Sequence, residues 1–178
     1  MEEMRELSPQ PLTLGDSSAW TFDRPPRPGD PAPRFELPNA AFKMWSLESF
    51  AGRFRIVITV PTFETPAGRE SLSRLLDIVR GHPDCEAFAV SVDAPFALVR
   101  VLDETRPPEN LHLLSAFRSP EFGMEWGTLL VDHPMMGLLA RAVFVIAPDG
   151  TIAHAQLVPD VLSQPDWDAV ASALGSAE

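Results

Sequence analysis

The sequence contains one cysteine, Cys85, in 178 residues. A lone thiol excludes a disulfide within the chain, and it excludes a dithiol redox cycle unless a second molecule supplies the other sulfur. A basic stripe is missing too. The formal charge is −11, and such acidity repels phosphate backbones and anionic lipid, so neither nucleic acid nor a membrane surface is an expected partner. No apolar run approaches bilayer-spanning length, and the first residues, opening Met1-Glu2-Glu3, lack the apolar core of a signal peptide. The cytoplasm is the expected location. Neither phosphate-loop spacing occurs, nor does a Gly-x-Ser-x-Gly elbow, which removes the usual supports for nucleotide and serine-hydrolase chemistry. His82, His112, His133 and His154 stand singly, without the paired spacing of a zinc site, and no metal or cofactor is expected.

What is present suits one folded unit. A hydrophobic content of 45% fills one core at this length and is short for two. Residues 1–34 carry seven prolines, Pro9 to Pro33, and prolines disfavour helix interiors. Within that segment, Pro11 to Leu14 and Ala19 to Phe22 flank the polar cluster Gly15-Asp16-Ser17-Ser18, which predicts an N-terminal hairpin. A regular domain over residues 35–178 follows. Phe54 to Val60 reads as a strand buried on both faces, and Gly68 to Arg80 as a helix with Leu72, Leu75, Leu76 and Val79 on one side. Ala87 to Val92 is a second strand, Pro95 to Asp103 a helix and Leu111 to Leu114 a third strand. Arg141 to Ala147 and Thr151 to Val158, joined by Pro148-Asp149-Gly150, predict an antiparallel hairpin. Asp166 to Leu174 closes the chain as a helix with Trp167, Val170, Ala171 and Leu174 on one face. The order predicts an α/β protein whose central mixed sheet is flanked by helices.

Pro61-Thr62-Phe63-Glu64-Thr65-Pro66-Ala67-Gly68 follows a buried strand and opens a helix. This segment resembles the peroxiredoxin active-site pattern Pro-x-x-x-Thr-x-x-Cys, with glycine in the cysteine position, and is most similar to the bacterial thiol peroxidase branch. Other pieces agree in order: Gly29-Asp30-Pro31-Ala32-Pro33, Ser91-Val92-Asp93-Ala94-Pro95-Phe96-Ala97, Leu114-Ser115-Ala116-Phe117-Arg118, and Gly137-Leu138-Leu139-Ala140-Arg141-Ala142-Val143. The resemblance covers residues 11–174. It implies a thioredoxin-like fold and a homodimer. It also implies that Pro61 shields the pocket, that Thr65 hydrogen-bonds the peroxide, and that Arg141 favours a thiolate and polarises the O–O bond.

Each of those roles presupposes a sulfur, because the thiolate is the attacking species. Gly68 has no side chain. The resolving cysteine that the resemblance implies would fall near Leu102, and none is there. Cys85 is expected at the opposite end of the sheet, because the helix from Gly68 to Arg80 spans about 20 Å. It reads as an inert, partly buried thiol, with incidental oxidation or an intermolecular bridge as the alternative. The expectation is a degenerate thiol-peroxidase-like protein that binds or regulates without turning over peroxide. The alternative is a thiol-dependent peroxidase working through Cys85, or other chemistry in the retained pocket.

Arg141 has two readings: an ion-pair partner, for instance of Glu64, or part of a pocket for a small anionic or oxygen-rich ligand together with Thr65 and the helix N-terminus at Gly68. A cysteine restored at position 68 is expected to titrate low if Thr65 and Arg141 keep their places. Met135, Met136, Leu138 and Leu139 form an apolar patch that is either core or dimer contact.

Overall fold

Two residues, Gly15 and Asp16, turn the N-terminal segment back on itself, so that β1 (Pro11–Leu14) and β2 (Ser17–Trp20) pair antiparallel with Leu14 opposite Ser17. The turn is tighter than the sequence suggests, because Ser17 and Ser18 join the strand. The structure is a computed structural model that describes residues 6–175. Leu12 and Ala19, on one face of the hairpin, pack with Leu130 and Ala140. The proline-rich segment is then tied along the domain by main-chain bonds. Thr13 donates to the Pro159 carbonyl, Gly29 donates to Ile152, Ile152 donates to Asp30, and Ala32 donates to Gly150. Two short strands that the sequence did not reveal follow, β3 (Glu36–Pro38) and β4 (Met44–Ser46), paired antiparallel and leading into a 3-10 turn at Leu47–Phe50.

The central sheet forms where apolar runs are too continuous to face water on either side. Every residue of β5 (Arg55–Thr59) is buried. The chain continues through α1 (Pro66–Gly81), β6 (Glu86–Ser91), α2 (Pro95–Thr105), β7 (Leu111–Ser115), the short α3 (Pro120–Glu125), β8 (Ala142–Ile146), β9 (Ile152–Leu157) and α4 (Trp167–Gly175). Spatial order is β7-β6-β5-β8-β9, with β5, β6 and β7 parallel and β8 and β9 antiparallel. This is the expected mixed sheet, including the β8–β9 hairpin.

Alternate residues of each strand feed two apolar layers. Ile56 and Ile58 face α1, α2 and α4 through Leu72, Leu75, Leu98 and Val170. Val57 and Phe88 face Phe35, Phe122 and Trp126 on the other side. Leu72 and Leu75 are fully buried, and each such leucine contributes about 1.5–3 kcal/mol relative to exposure. On α4 the buried residues are Val170 and Leu174, with Trp167 and Ala173 packed beside them; Ala173 takes the place expected of Ala171. Among the described residues no helix is long and apolar enough to cross a membrane.

Candidate functional site

Thr59 of β5 lies opposite Val90 of β6 in a parallel pair, so the loops that follow these two strands emerge at the same end of the sheet. In the antiparallel pair of β5 and β8, Thr59 lies opposite Ala142, which sets Arg141 level with Val60 at that end too. The fold therefore gathers Pro61, Thr65, Gly68 and Arg141 at one edge, as the sequence order implied. Helix α1 starts two residues earlier than its apolar periodicity suggests, because Pro66 occupies its first turn and Thr65 caps it. The Thr65 hydroxyl accepts a hydrogen bond from the Gly68 amide at 3.1 Å. Thr65→Ala is expected to cost about 1 kcal/mol and to lower Tm by about 2–4 °C, which calorimetry would measure.

The loop between β5 and α1 is held from several directions. The Asp93 carboxylate, just beyond β6, accepts the Thr62 hydroxyl at 2.6 Å on Oδ1 and the Phe63 amide at 2.8 Å on Oδ2. Ser91 donates to the same Oδ2 at 2.8 Å. From α1, Arg69 Nε donates to the Phe63 carbonyl at 2.6 Å, and the Phe63 side chain is fully buried. So held, the Thr62 carbonyl oxygen comes within 2.0 Å of the point where a Cβ on Gly68 would stand. A cysteine at position 68 therefore requires the Thr62 carbonyl to shift before it can stand beside Thr65 and Arg141. Backbone already occupies the space its side chain needs.

Arg141 is only 2% exposed, and its Nε and Nη1 are buried without a hydrogen-bond partner. Burial pushes its pKa down, opposed by the carboxylates of Glu70 and Asp160. The ion pair with Glu64 does not form. Glu64 is turned outward and pairs with Arg100 of α2, so its charge does not face the pocket. The helix N-terminus offers an anion less than expected, since Pro66 has no N–H and the Gly68 amide is taken by Thr65.

Cys85 lies past the far end of α1, about 20 Å along the helix from Gly68. It is 3% exposed, and burial together with nearby Glu86 pushes its thiol up to about 12. Leu102 lies within α2. Among the described residues no group of histidine, cysteine and carboxylate side chains could hold a metal. His112 is less solitary than the sequence suggests. Its Nε2 lies 2.9 Å from Glu86 Oε2, its ring lies 4.1 Å from that of Trp45, and Arg53 donates to Glu86 Oε1 at 2.8 Å. That cluster sits at the start of β6 and β7, opposite the pocket. Of the methionine patch, Met135 and Leu138 pack against the Leu12 cluster, Leu139 enters the Phe122 layer and Met136 is exposed, which favours the core reading.

The AhpC/TSA family pattern matches residues 28–155. The chain belongs to the AhpC/TSA family. Within it the chain falls in the thiol peroxidase branch of the peroxiredoxins. It is 34% identical over 165 residues to the thiol peroxidase of Mycobacterium tuberculosis strain H37Rv, covering 93% of this chain and 98% of that protein. Against the thiol peroxidase of Leptospira interrogans serovar Lai it is 31% identical over 167 residues, again 93% and 98%. Among solved structures, a peroxiredoxin-like protein from Aquifex aeolicus superposes with a TM-score of 0.86 at 25% identity, covering 94% of this chain and 98% of that one. A thiol peroxidase from Chromobacterium violaceum gives 0.85 at 23%, with 93% and 95% covered, and shares the fold. Asp93, Arg69 and Arg100 are the loop-holding residues that motif reading missed. The position of Asp93 directly after a strand parallel to β5 was the signal that could have found it.

Proposed function

We propose that this chain is a thiol-peroxidase-like protein without peroxidase turnover, a pseudoenzyme of the cytoplasm that acts as a binding or regulatory module. The observation that carries the reading is the placement of sulfur. The residue at the pocket's helix N-terminus is Gly68, and Cys85 is buried at the far end of α1 with a thiol pushed up to about 12. A thiolate is the attacking group in peroxide reduction, and neither position supplies one near neutral pH. The ligand we assign to the pocket edge of Pro61, Thr65, Gly68 and Arg141 is a small anionic or oxygen-rich molecule. In support, Arg141 carries two buried nitrogens, Nε and Nη1, whose N–H groups lack acceptors. A homodimer is part of the proposal, and the exposed Phe96 and Phe117 suit contact with a second copy. Sedimentation at the mass of one chain would remove that part.

The test is peroxide consumption by purified protein with a thioredoxin reducing system, run beside Cys85→Ser. Neither protein is expected to consume hydrogen peroxide or an alkyl hydroperoxide above background. The second reading, a thiol-dependent peroxidase using Cys85, draws on the activity named for the relatives. Turnover present in the parent and lost in Cys85→Ser would establish it.

A further inference from the structure

Main-chain atoms stand where a side chain at position 68 would be. The Thr62 carbonyl oxygen is 2.0 Å from the ideal Cβ position, the Thr62 carbonyl carbon 3.1 Å and Phe63 Cα 3.3 Å. Atoms of a flexible side chain could swing out of such an overlap. Backbone atoms cannot, unless the whole segment moves. That segment is bonded from two neighbouring elements at once: to Asp93 beyond β6 through the Thr62 hydroxyl and the Phe63 amide, and to Arg69 of α1 through the Phe63 carbonyl. The wholly buried Phe63 side chain anchors it in the core as well.

We infer that Thr62–Phe63 is a main-chain plug seated in the volume that a residue 68 side chain would need, and that Asp93 is the clasp holding it in place. The inference goes beyond the loss of peroxidase turnover. A pocket that had merely lost its sulfur could keep its loop in place and leave a hole. Here main-chain atoms fill that volume, so glycine is required for packing, and a side chain placed at 68 would have to displace the segment. Asp93 is suited to the part because its two carboxylate oxygens take three donors, two of them from the plug and one from Ser91. Asparagine at 93 would keep the shape but offer one acceptor oxygen in place of two.

The test is a double-mutant cycle read by calorimetry and by hydrogen exchange at the Phe63 amide, using Gly68→Ala, Asp93→Asn and the pair. Asp93→Asn is expected to speed exchange of the Phe63 amide about tenfold or more, as loss of a hydrogen bond to a charged group implies. Gly68→Ala should lower Tm by about 4 °C or more, the response of a chain this size to overpacking. In the Asp93→Asn background the same alanine should cost less than half as much, because the plug is already loosened. Additive losses would overturn the inference. So would a Gly68→Ala protein within about 1 °C of the parent with Phe63 still protected. Should Gly68→Ala not fold, unchanged Phe63 exchange in Asp93→Asn would be enough to reject the clasp. None of these readings depends on peroxide chemistry, so the plug and the proposed function can fail separately.

Discussion

Raised from pH 9 to pH 12, the folded protein is expected to lose about 4 kcal/mol of stability to a single residue, Cys85. The thiol is pushed from 9.0 up to about 12, first by burial and then by the negative charge of Glu86. The sign follows from which state holds the proton. Between those two pH values the folded chain keeps Cys85 protonated while the unfolded chain releases the proton, so each added pH unit favours unfolding by about 1.4 kcal/mol. Below about pH 9 both states are protonated and the contribution is fully present. Urea unfolding at several alkaline pH values would show the decline, and Cys85→Ala should flatten it. An equally steep decline in Cys85→Ala would mean that other groups govern the alkaline limb. The same shift sets the chemistry of the thiol: at neutral pH its thiolate is about a thousandfold scarcer than that of an ordinary cysteine. Alkylation by iodoacetamide should be far slower than that of an exposed cysteine, both because thiolate is scarce and because Cys85 is only 3% exposed.

Gly127→Ala is expected to be severely destabilising. Gly127 has φ +63°, a region that costs other residues about 1–2 kcal/mol. Worse, a Cβ there would lie 2.2 Å from both the Arg24 carbonyl carbon and the Pro25 nitrogen, and 2.3 Å from the Arg24 carbonyl oxygen. The opposing strip cannot easily retreat. The Arg24 amide donates to the Asp23 carboxylate at 2.7 Å, and the Phe22 amide donates to the Leu129 carbonyl at 2.8 Å. A total above about 4 kcal/mol is expected, in the range reserved for severe backbone conflict. It would appear as a Tm lowered by about 10 °C or more, or as release of residues 22–30, which faster exchange of the Phe22 and Gly29 amides would reveal. A variant that melts with the parent and keeps those amides protected would refute the close approach.

Long apolar patterns made most of the sheet and its helices readable. β5, β6 and β8 are buried on both faces, so their runs are unbroken, and α1 carries Leu72, Leu75, Leu76 and Val79 at helical spacing. β3 and β4 escaped because three residues each, with Glu36 and Met44 exposed, leave too little period to detect. α3 is six residues long with Gly123 inside it, too short for an apolar period to show, although Ser119, Pro120 and Glu121 carry a helix-start signal. At the pocket, residue types and their order were readable, since the motif lies in one segment. What fills the space beside Gly68 was not. The position of the Thr62 carbonyl depends on Asp93, thirty residues away, and sequence alone could not choose between Arg100 and Arg141 as the partner of Glu64.

The bonds that tie the proline-rich segment to the domain have a further consequence for how the molecule meets its own kind. β9 is the last strand of its sheet, and at its start the Ile152 amide and carbonyl are both engaged by residues 29–30, with Thr151 opposite Pro31. An unguarded rim of that sort is a template on which another chain can add a strand. Pro25, Pro26, Pro28, Pro31 and Pro33 have no N–H to offer, so the strip laid along this rim cannot itself serve as the next template. The segment thereby ends the sheet, and its loss by proteolysis would expose a rim prone to edge-to-edge aggregation.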